Sequence, residues 1–424
     1  MLELTLALLH SLFSPFILFL SFFIPALRKR RLFEQKNNLA PESESFQKKG
    51  LTADLCFEVS SEGELEQIRS YLEDSLSQKK LVELIICSPS VERASLRLFQ
   101  ENSSRLRVLR LPLITFSYLG GQSVKAWMTA STIILCRYDF FPDLTYMAKK
   151  KKSILLAATL KNKKKIGYRL KNIYLGFDEI YTSTKADQEK FLTLVGAKKS
   201  RFLELRFLSI EKRNLHLEHK LQNNKIMSDY AQFLRQFSGR KLVMGSMWPL
   251  EAPLINDAQI KQAIKDQKLH LAVFPHEIDE DAIKLMKLAL EKALGDIPVH
   301  LVKAGEALPD FLNVPGVALI LEKGFLCEFY PFFSDTYVGG GFGRSIHSLL
   351  EPYLGECRLF CGPKTQRSTE YELVKENSPE DLFVVQNMFE FGPLFFKEYK
   401  SVDRSKRLAM LEWTKKAYQN YFRL

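Results

Sequence analysis

Four short stretches of the chain carry residues that could do chemistry, and each follows an apolar run. The first is "SSEGE" at 60–64, where Ser60 and Ser61 offer hydroxyl groups and Glu64 a carboxylate. Gly63 would permit a tight entry into a helix. Ser61 and Glu64 fit the S-x-x-E capping box of an ordinary helix start. A carboxylate where a strand passes into a helix can equally act as a general base, so this stretch alone leaves both interpretations open.

Two further stretches place polar groups where a predicted strand ends. In "RYDFFPDL" at 137–144, Asp139 follows the strand and Pro142 stops it. In "GSMWPLEAP" at 245–253, Gly245 and Ser246 offer backbone and hydroxyl donors of the kind that bind phosphate. The first of these stretches supplies a second acid, and the other supplies a candidate anion site.

The fourth stretch, "YVGGGFGRSIHSLLEP" at 337–352, is a glycine-rich loop. Glycines let a backbone approach a ligand closely, and the start of a helix favours an anion. We expect the helix to begin near Ser345, which puts His347 and Glu351 on one helical face. No G-K-[ST] follows, so this is not a Walker loop, and an ordinary loop is the alternative. The glycines concerned are Gly339, Gly340, Gly341 and Gly343.

Neither the histidines nor the cysteines form a metal-binding pattern. The seven histidines have no H-x-x-x-H or H-E-x-x-H spacing, and no pair of the six cysteines has the C-x-x-C spacing of a zinc or redox site. Scattered cysteines are typical of apolar filler in a reduced, cytosol-facing fold. We therefore expect no metal and no cofactor.

The elements that must position these residues follow from alternating apolar and amphipathic runs. Strands that alternate with helices predict parallel, doubly wound sheets joined by right-handed crossovers. The alternation pauses over 207–240 and then resumes, so we predict an α/β chain with two Rossmann-like domains facing a cleft, where such folds bind ligands. The predicted strands are 54–59, 81–87, 107–113, 132–138, 153–159, 178–184, 241–247, 269–275, 299–302, 316–322, 335–341 and 358–363.

The segment 4–27 is almost wholly apolar and is long enough to cross the roughly 30 Å hydrocarbon core of a membrane. Glu3 precedes it and "RKRR", Arg28 to Arg31, follows it, which reverses the order of charges in a cleaved signal peptide. The positive-inside rule then places the rest of the chain in the cytoplasm. Two prolines would kink the segment, so both a spanning and a monotopic helix fit.

The net charge of +12 predicts an anionic partner. Beside an apolar anchor, this charge favours anionic inner-membrane phospholipid, near which each basic residue gains roughly 1 kcal/mol. Lysine clusters at 149–152 and 161–165 are either a solvated face or a lipid-facing patch. They lack the interleaved aromatic residues of a nucleic-acid platform, so we expect no nucleic-acid partner.

Taken together, these stretches resemble the bacterial 3-deoxy-D-manno-octulosonic acid (Kdo) transferases, membrane-anchored glycosyltransferases of the GT-B fold. "EVSSEGE" stands where the family has H-A-A-S-V-G-E, and "RYDFFPDL" where it has E-x-E-x-W-P-N-L. "FDEIYTSTKADQEKFLTLVGA" at 177–197 is similar to the family's Q-S-E-A-D-A-E-R-F-x-x-L-G-A. "GSMWPLEAPLI" resembles G-S-T-H-x-G-E-E, and the glycine-rich stretch with its trailing "CGP" resembles V-G-G-S-x-x-x-x-G-G-H-N-P-L-E-P followed by G-P. The resemblance runs from the N-terminal segment nearly to the end of the chain.

The resemblance implies an inverting, metal-independent transfer of Kdo from CMP-Kdo to a lipid A precursor. It places the reaction at the cytoplasmic face of the inner membrane of a Gram-negative bacterium. It makes Glu64 the general base and Asp139 a second acid. The donor would be bound by Ser246, His276, Gly339, Gly340, Gly341, His347 and Glu351. The acceptor and the membrane would face Ser60, Ser61, Gly63, Arg28, Lys29, Arg30 and Arg31.

The implied organisation begins with a membrane anchor at 1–27 and a basic juxtamembrane segment at 28–50. An acceptor domain at 51–206, a linker at 207–240 and a nucleotide-sugar domain at 241–395 follow. A C-terminal helix within 396–424 is expected to pack back on the acceptor domain.

The sequence departs from the family pattern where the donor would bind. The Thr-His pair is replaced by Met247 and Trp248, and P-R-H-P-E-R is reduced to "FPHEID", which keeps His276 and lacks the arginine. Arg137 replaces the first acid of E-x-E, and Ser348 replaces the asparagine after the glycine loop. These departures leave open a GT-B enzyme that uses another nucleotide sugar, and a non-catalytic relative that binds lipid A precursors.

Overall fold

The chain folds into two compact units, Met1–Ser209 and Ile210–Leu424. The computed structural model describes residues 2–38, 41–43, 46, 50–114, 123–137, 139–160, 166–196, 199–397 and 402–422. Each unit is built on one sheet of seven strands. The lysine cluster at 161–165 lies outside the described residues.

The first unit contains seven parallel strands and the helices that connect them. The strands are β1 Leu55–Val59, β2 Val82–Ile86, β3 Leu106–Arg110, β4 Thr132–Cys136, β5 Lys152–Ala158, β6 Glu179–Thr182 and β7 Ser200–Phe202. They lie in the order β3-β2-β1-β4-β5-β6-β7. The helices are α1 Leu2–Leu20, α2 Pro25–Gln35, α3 Glu62–Ser77, α4 Glu92–Glu101, α5 Val124–Trp127, α6 Pro142–Ala148, α7 Tyr168–Gly176 and α8 Lys185–Val195, and α9 Arg206–Leu215 begins in this unit.

The strands of the first sheet are largely buried and mostly apolar because both faces of the sheet are covered. Every residue of β1, β2 and β3 is buried. Parallel sheets require helical crossovers on their faces, which leaves no side of the strand open to water. Ile85, Ile133, Leu155 and Phe191 belong to the core that results.

The second unit repeats this architecture. Its strands are β8 Arg240–Met247, β9 Leu269–Pro275, β10 Val299–Val302, β11 Val317–Ile320, β12 Asp335–Val338, β13 Arg358–Cys361 and β14 Leu382–Val384. They lie in the order β10-β11-β9-β8-β12-β13-β14, again with parallel pairing throughout. The helices are α10 Leu217–Gln222, α11 Lys225–Gln236, α12 Ala258–Lys265, α13 Glu280–Leu294, α14 Leu326–Phe329, α15 Leu350–Leu354, α16 Thr369–Asn377, α17 Phe391–Phe396 and α18 Arg404–Phe422.

All twelve predicted strands are present, and the alternating α/β pattern is confirmed in both units. Two strands of three residues each, β7 and β14, lie at the edges of the two sheets and were too short to give an apolar run. The segment 207–240, predicted as a linker, contains most of α9 and all of α10 and α11. In α11, the hydroxyl of the buried Tyr230 is hydrogen-bonded to Nε2 of His270 in β9 at 2.8 Å, so α11 packs on the second sheet.

The N-terminal apolar segment forms two helices instead of one. α1 ends at Leu20, and α2 begins at Pro25, whose fixed φ suits the first position of a helix. Within α1, residues Glu3–Leu20 are long and apolar enough to cross a membrane by length and composition. α1 also packs on α6 of the first unit, where the buried Glu3 accepts a hydrogen bond from Thr145 at 2.6 Å.

The C-terminal helix α18 contacts α15 of the second unit. Arg407 of α18 is 1% exposed and donates to the carbonyl of Tyr353 at 2.7 Å and to Asp381 at 2.9 Å. A buried guanidinium with a carboxylate partner fixes the helix firmly in register. By these contacts the helix belongs to the second unit.

Candidate active site

The first candidate cluster lies where the strand order of the first sheet reverses, between β1 and β4. Ligands of doubly wound sheets bind outside the carboxyl ends of the strands at such a switch point. Glu64, in the first turn of α3, follows β1 closely and is 4% exposed. Its Oε2 accepts a hydrogen bond from the Ser60 amide at 2.6 Å, while Ser61 Oγ accepts one from the Glu64 amide at 3.3 Å. Glu64 therefore helps to cap α3 and also stands at the switch point.

The electrostatics around Glu64 favour a proton acceptor. Burial raises the pKa of the Glu64 carboxyl, and the hydrogen bond from the Ser60 amide opposes that rise. The charge of Asp139 raises the same pKa further, whereas Arg137 lowers it. A carboxylate with a raised pKa is a stronger base near neutral pH. Glu64 and Asp139, the two acids predicted from the sequence, therefore belong to one cluster, in which the charge of Asp139 raises the pKa of Glu64.

Arg137 occupies an unusual backbone conformation in this cluster. Its φ is 63°, in the left-handed region that residues other than glycine seldom adopt. Its Nε donates to Gln67 Oε1 of α3 at 3.0 Å. Residues in such conformations concentrate at functional sites. Arg137 thus lies beside the helix that carries Glu64.

A second buried acid, Glu58 in β1, belongs to the same cluster; it opens the stretch "EVSSEGE", where the family pattern has a histidine in its place. It is 1% exposed, and its Oε1 accepts hydrogen bonds from Ser60 Oγ and from Cys87 Sγ, both at 3.1 Å. Burial raises the pKa of Glu58 to about 8, so this carboxyl holds a proton at neutral pH. A charged residue type inside an otherwise apolar strand is the signal in the sequence that could have revealed it.

Gly63 was expected to permit a tight entry into α3, and the structure shows no need for a glycine at this position. A Cβ built at Gly63 would meet no atom within 4 Å, and the φ of Gly63 is not positive. The entry into α3 therefore does not need a glycine. Ser60 and Ser61 remain half-buried beside Glu64.

The second cluster lies at the corresponding reversal of the second sheet, between β8 and β12. The pairing of β8 with β9 is irregular between Gly245 and Met247, and the intervening Ser246 has a φ of 52°. A bulge of this kind turns the end of a strand and re-aims its side chains. A Cβ at Gly339 would collide with the Ser246 carbonyl, so glycine alone lets the loops after β8 and β12 pack together.

Gly340 and Gly341 are also needed as glycines, the first for its backbone conformation and the second for packing. Gly340 has a φ of 92°, which glycine adopts without strain. A Cβ at Gly341 would lie 2.6 Å from the backbone of Gly362, in the loop after β13. The close approach that these glycines permit is therefore to neighbouring loops of the same unit.

Glu251 joins the two central loops; it lies within the "GSMWPLEAP" stretch, where no role is predicted for it from the sequence. It lies in the 3₁₀ segment Pro249–Ile255 and is fully buried. Its carboxylate accepts hydrogen bonds from the Gly340 amide at 3.0 Å, the Tyr337 hydroxyl at 2.8 Å and the Trp248 amide at 3.0 Å. A carboxylate with three donors fixes the glycine loop against the end of β8.

Three rings form a stack beside these loops. The ring centroids of Trp248 and His276 are 4.5 Å apart, and those of His276 and His347 are 4.3 Å apart. Trp248 Nε1 donates to His347 Nε2 at 3.3 Å, which leaves the proton of a neutral His347 ring on Nδ1. Burial, aided by His276, lowers the pKa of His347 to about 4, and burial also lowers the pKa of His276. Both imidazoles are therefore neutral at pH 7.

The helix predicted to begin near Ser345 begins instead at Leu350, so His347 and Glu351 do not share a helical face. The amide of His347 donates to the Gly339 carbonyl at 3.1 Å, which draws this segment into the loop. Glu370 accepts hydrogen bonds from the amides of Leu349 and Leu350 at 2.6 and 3.0 Å and thereby fixes the helix start. Glu351 itself forms an ion pair with Arg213 at 3.2 Å.

The basic residues that follow the apolar segment divide into two kinds. Arg28 and Lys29 are exposed on α2. Arg30 is turned inward, donating to the carbonyls of Cys87 and Leu111 and to Glu34 at 2.6 Å. Arg31 lies 3.9 Å above the ring of Phe22. Arg28 and Lys29 are therefore exposed to solvent, whereas Arg30 attaches α2 to the first unit.

Across the described ranges, no three histidine, cysteine, aspartate or glutamate side chains form a group that could hold a metal ion. No family model matches the chain, and no curated protein matches it in sequence.

Solved structures do resemble it. The UDP-GlcNAc 2-epimerase from Neisseria meningitidis, bound to UDP-GlcNAc, is 12% identical, with a TM-score of 0.52 over 88% of this chain and 100% of its own. A glycosyltransferase from Rickettsia africae ESF-5 is 10% identical, with a TM-score of 0.49 over 87% and 98%. The C-terminal CMP-Kdo binding domain of WaaA from Acinetobacter baumannii is 17% identical, with a TM-score of 0.34 over 46% and 98%.

The likeness to the epimerase is one of fold. Together with the two parallel seven-stranded sheets, it establishes the predicted GT-B architecture of two Rossmann-like units. In this chain the N-terminal apolar helix α1 precedes the first of them.

Proposed function

We propose that the protein is a GT-B glycosyltransferase that moves Kdo from CMP-Kdo to a lipid A precursor, with Glu64 as its general base. The observation that carries the proposal is the buried Glu64 carboxyl, whose pKa is raised by burial, at the switch point of the first sheet. Such a position is where doubly wound folds place reactive groups. The order of the family-like stretches along the chain supplies the substrate class.

In the proposed reaction, Glu64 takes the proton from an acceptor hydroxyl while that oxygen bonds to the anomeric carbon of Kdo. The bond between this carbon and the donor phosphate breaks, and its electron pair departs with CMP. The leaving group is a stabilised phosphate, so the step needs hydrogen-bond donors to receive it and no metal. We assign donor binding to the loops after β8 and β12, with Ser246, His276, Gly339, Gly340, Gly341, His347 and Glu351 as in the family pattern. Asp139 is the second acid of the acceptor side.

Lys364 is a cation at the glycine loop that compensates in part for the missing arginine. Its Nζ donates to the Gly343 carbonyl and to that of Phe342 at 3.4 Å, and its backbone amide donates to Gly341 at 3.1 Å. An ammonium group has three donors, so two carbonyl bonds leave one for a phosphate. This arrangement supports an anionic donor in the second unit.

A membrane-resident acceptor is supported by the surface of the N-terminal helices. Leu12, Phe16, Phe19 and Phe23 are all more than half exposed along α1 and the turn that follows it. An apolar surface of this kind beside exposed basic residues is typical of an interface with anionic lipid. We therefore propose that the protein works at the cytoplasmic face of the inner membrane of a Gram-negative bacterium.

A second candidate function is the transfer of a sugar from another nucleotide. The ring stack of Trp248, His276 and His347 favours it, because neutral imidazoles at pH 7 offer the donor phosphate no positive charge. An aromatic surface instead suits a nucleobase or a sugar ring.

Incubation of the membrane fraction with a lipid A precursor and either CMP-Kdo or UDP-sugars tests both candidates, with lipid products identified by mass spectrometry. Glu64→Ala should lower the rate of Kdo transfer by about 10²-fold or more. Glu62→Ala is the matched control, since Glu62 lies in the same turn of α3 and is exposed. Transfer only from a UDP-sugar would end the Kdo proposal. Equal transfer by wild type and Glu64→Ala would remove Glu64 as the base, and a complete lack of transfer would favour a non-catalytic relative.

A further inference from the structure

Glu58 is a buried acid whose hydrogen bonds come from uncharged donors. Its Oε1 accepts from Ser60 Oγ and Cys87 Sγ at 3.1 Å, and its Oε2 accepts from the Cys136 amide at 3.4 Å. An ionised carboxylate in such surroundings would lack a compensating positive charge. The neutral, protonated form is therefore the stable form at pH 7, in agreement with a pKa raised by burial to about 8.

One residue connects Glu58 to the proposed base. The amide of Ser60 donates to Glu64 Oε2 at 2.6 Å, and the hydroxyl of Ser60 donates to Glu58 Oε1 at 3.1 Å. The two carboxyl groups thus share a single serine at the carboxyl end of β1. Two acids held this close in a site of low dielectric constant do not both ionise readily.

We propose that Glu58 and Glu64 form a coupled carboxyl pair, in which Glu58 keeps the shared proton and so leaves Glu64 ionised to act as the base. Glu58 is then a positioning residue that holds Ser60, while Glu64 alone meets the acceptor. The pairing itself depends only on the geometry, whereas its catalytic meaning rests on the proposed function.

The surroundings of Glu58 favour its protonated form, and those of Glu64 favour a negative charge. Glu64 lies in the first turn of α3, where the helix dipole stabilises a negative charge, and Arg137 lowers its pKa. Glu58 lies within β1, which has no such dipole. Pairs of acids whose environments separate their pKa values in this way divide the acid and base roles between them.

The other ionisable groups near Glu58 leave it as the group that titrates near pH 8. Burial and the charge of Glu58 raise the pKa of Cys87 far above the ordinary thiol value, and burial does the same for Cys136. Among the described residues, the other charged or titratable groups around the pair are Cys56 on β1, Arg30 on α2, Arg137 and Asp139 after β4, and Glu204 before α9. Gln67 on α3 is a neutral polar neighbour.

The first test reads the proton directly and does not depend on activity. Infrared spectra of the full-length protein are recorded from pH 5.5 to 9.5 for wild type, Glu58→Gln and the exposed control Glu62→Gln. We expect the carbonyl band of a buried protonated carboxyl that is lost with a midpoint near pH 8 in wild type and in Glu62→Gln, and that is absent in Glu58→Gln. The buried Asp143, whose pKa is raised to about 6, should add a component lost near pH 6 in all three proteins. The Cys87 S–H band should shift over the same pH range, because the thiol donates to Glu58.

Cys87→Ala keeps the test decisive if Glu58→Gln does not fold. The hydrogen bond from Cys87 lowers the pKa of Glu58, so its removal should move the infrared midpoint to higher pH. An unmoved midpoint in Cys87→Ala, or the same band in Glu58→Gln as in wild type, would overturn the coupled pair.

The second test separates this inference from the proposed function. In the transferase assay, the pH–rate profile of wild type should change slope near pH 8 as Glu58 ionises, and the profile of Glu58→Gln, scaled to its own maximum, should not. If the infrared band of Glu58 is present and Glu64→Ala keeps full activity, the carboxyl pair stands and the assignment of Glu64 as the base is wrong. A retained inflection near pH 8 in Glu58→Gln would remove the positioning role of Glu58.

Discussion

The carboxylate of Glu251 accepts the amide of Gly340 at 3.0 Å, so one buried side chain joins the loop after β8 to the glycine loop after β12. The same carboxylate accepts from Tyr337 and Trp248. The switch point of the second sheet is therefore organised by a residue that lies beneath the loops. Its removal should be costly because it leaves three donors without a partner.

Glu251→Ala should lower the free energy of unfolding of the second unit by about 3–5 kcal/mol, since each orphaned buried donor costs about 1–3 kcal/mol and some regain water. Glu306→Ala is the control, because Glu306 is exposed in a loop of the same unit, and its effect should stay within about 0.5 kcal/mol. Urea denaturation of both variants provides the measurement. Equal stability of the two would mean that Glu251 does not hold the loops.

The predictable part of this fold is the part set by local pattern. The twelve longer strands are mostly apolar runs between polar segments, a pattern typical of parallel sheets that are covered on both faces. β7 and β14 have three residues each and are defined by pairing at a sheet edge, which a single sequence does not reveal.

The residues of the candidate site also divide into those with a local sequence signal and those whose role depends on distant residues. Glu64 is predictable because a capping box after a strand is a local signal. Glu58 and Glu251 lie within the family-like stretches "EVSSEGE" and "GSMWPLEAPLI". Their roles depend also on residues far along the chain, such as Cys87 and Gly340, which a single sequence does not reveal. The helix predicted near Ser345 is absent for a related reason. Backbone amides of that segment donate to the carbonyls of Gly339 and Lys364 instead of forming helical hydrogen bonds.

The glycine loop should distinguish two neighbouring glycines. A Cβ at Gly341 would lie 2.6 Å from the Gly362 backbone, whereas a Cβ at Gly343 has its nearest contact at 3.4 Å, an ordinary van der Waals distance. Gly341→Ala should therefore destabilise the second unit by about 1–3 kcal/mol through overpacking. Gly343→Ala should change stability by no more than about 0.5 kcal/mol. Thermal unfolding of the two variants makes the comparison, and an equal effect would contradict it.

Glu58 should make the first unit less stable as pH rises. Its pKa is raised from 4.5 to about 8 in the folded protein, so the native state binds one proton more than the unfolded state between these values. The stabilisation is present in full below about pH 4.5 and is lost as the pH rises through about 8, at about 1.4 kcal/mol per pH unit. Glu58→Gln removes this dependence.

The stability difference between wild type and Glu58→Gln should therefore shift in favour of the variant from pH 5 to pH 8. Chemical denaturation at several pH values measures it, and Glu62→Gln is the control because Glu62 is exposed. Parallel stability curves for wild type and Glu58→Gln would show that Glu58 does not carry the extra proton.

The basic residues of α2 should separate into structural and lipid-facing groups. Arg30→Ala removes the donor to the carbonyls of Cys87 and Leu111 and the positive charge beside the buried Glu34, so we expect a loss of about 2–4 kcal/mol in the stability of the first unit. The double variant of the exposed Arg28 and Lys29 to alanine should leave stability within about 0.5 kcal/mol.

Vesicle flotation should give the opposite ranking. Loss of Arg28 and Lys29 should weaken binding to anionic vesicles by roughly 30-fold, from about 1 kcal/mol for each residue, and should not affect binding to neutral vesicles. Arg30→Ala, where it folds, should bind anionic vesicles like wild type. Equal loss in both variants would mean that Arg30 also meets lipid.

The position of Glu3 predicts the topology of the N-terminal segment. Glu3 is 2% exposed, and its carboxylate accepts from Thr145 at 2.6 Å and from Arg169 at 3.0 Å, both of them in the first unit. A helix that crossed the bilayer would carry Glu3 to the far side, away from these partners. The contacts therefore favour a monotopic α1 that lies in the membrane interface, with the start of the chain on the same side as the first unit.

Protease treatment of sealed inner-membrane vesicles of known orientation, with one epitope tag at each end of the protein, measures this topology. We expect both tags to be digested from the cytoplasmic side and protected from the other. Glu3→Arg should weaken the attachment of α1 and make its N-terminal tag more susceptible, and the double variant Glu3→Arg with Arg169→Glu should restore wild-type behaviour because the ion pair is re-formed with reversed charges. Digestion of the two tags from opposite sides would establish a spanning helix and contradict the prediction.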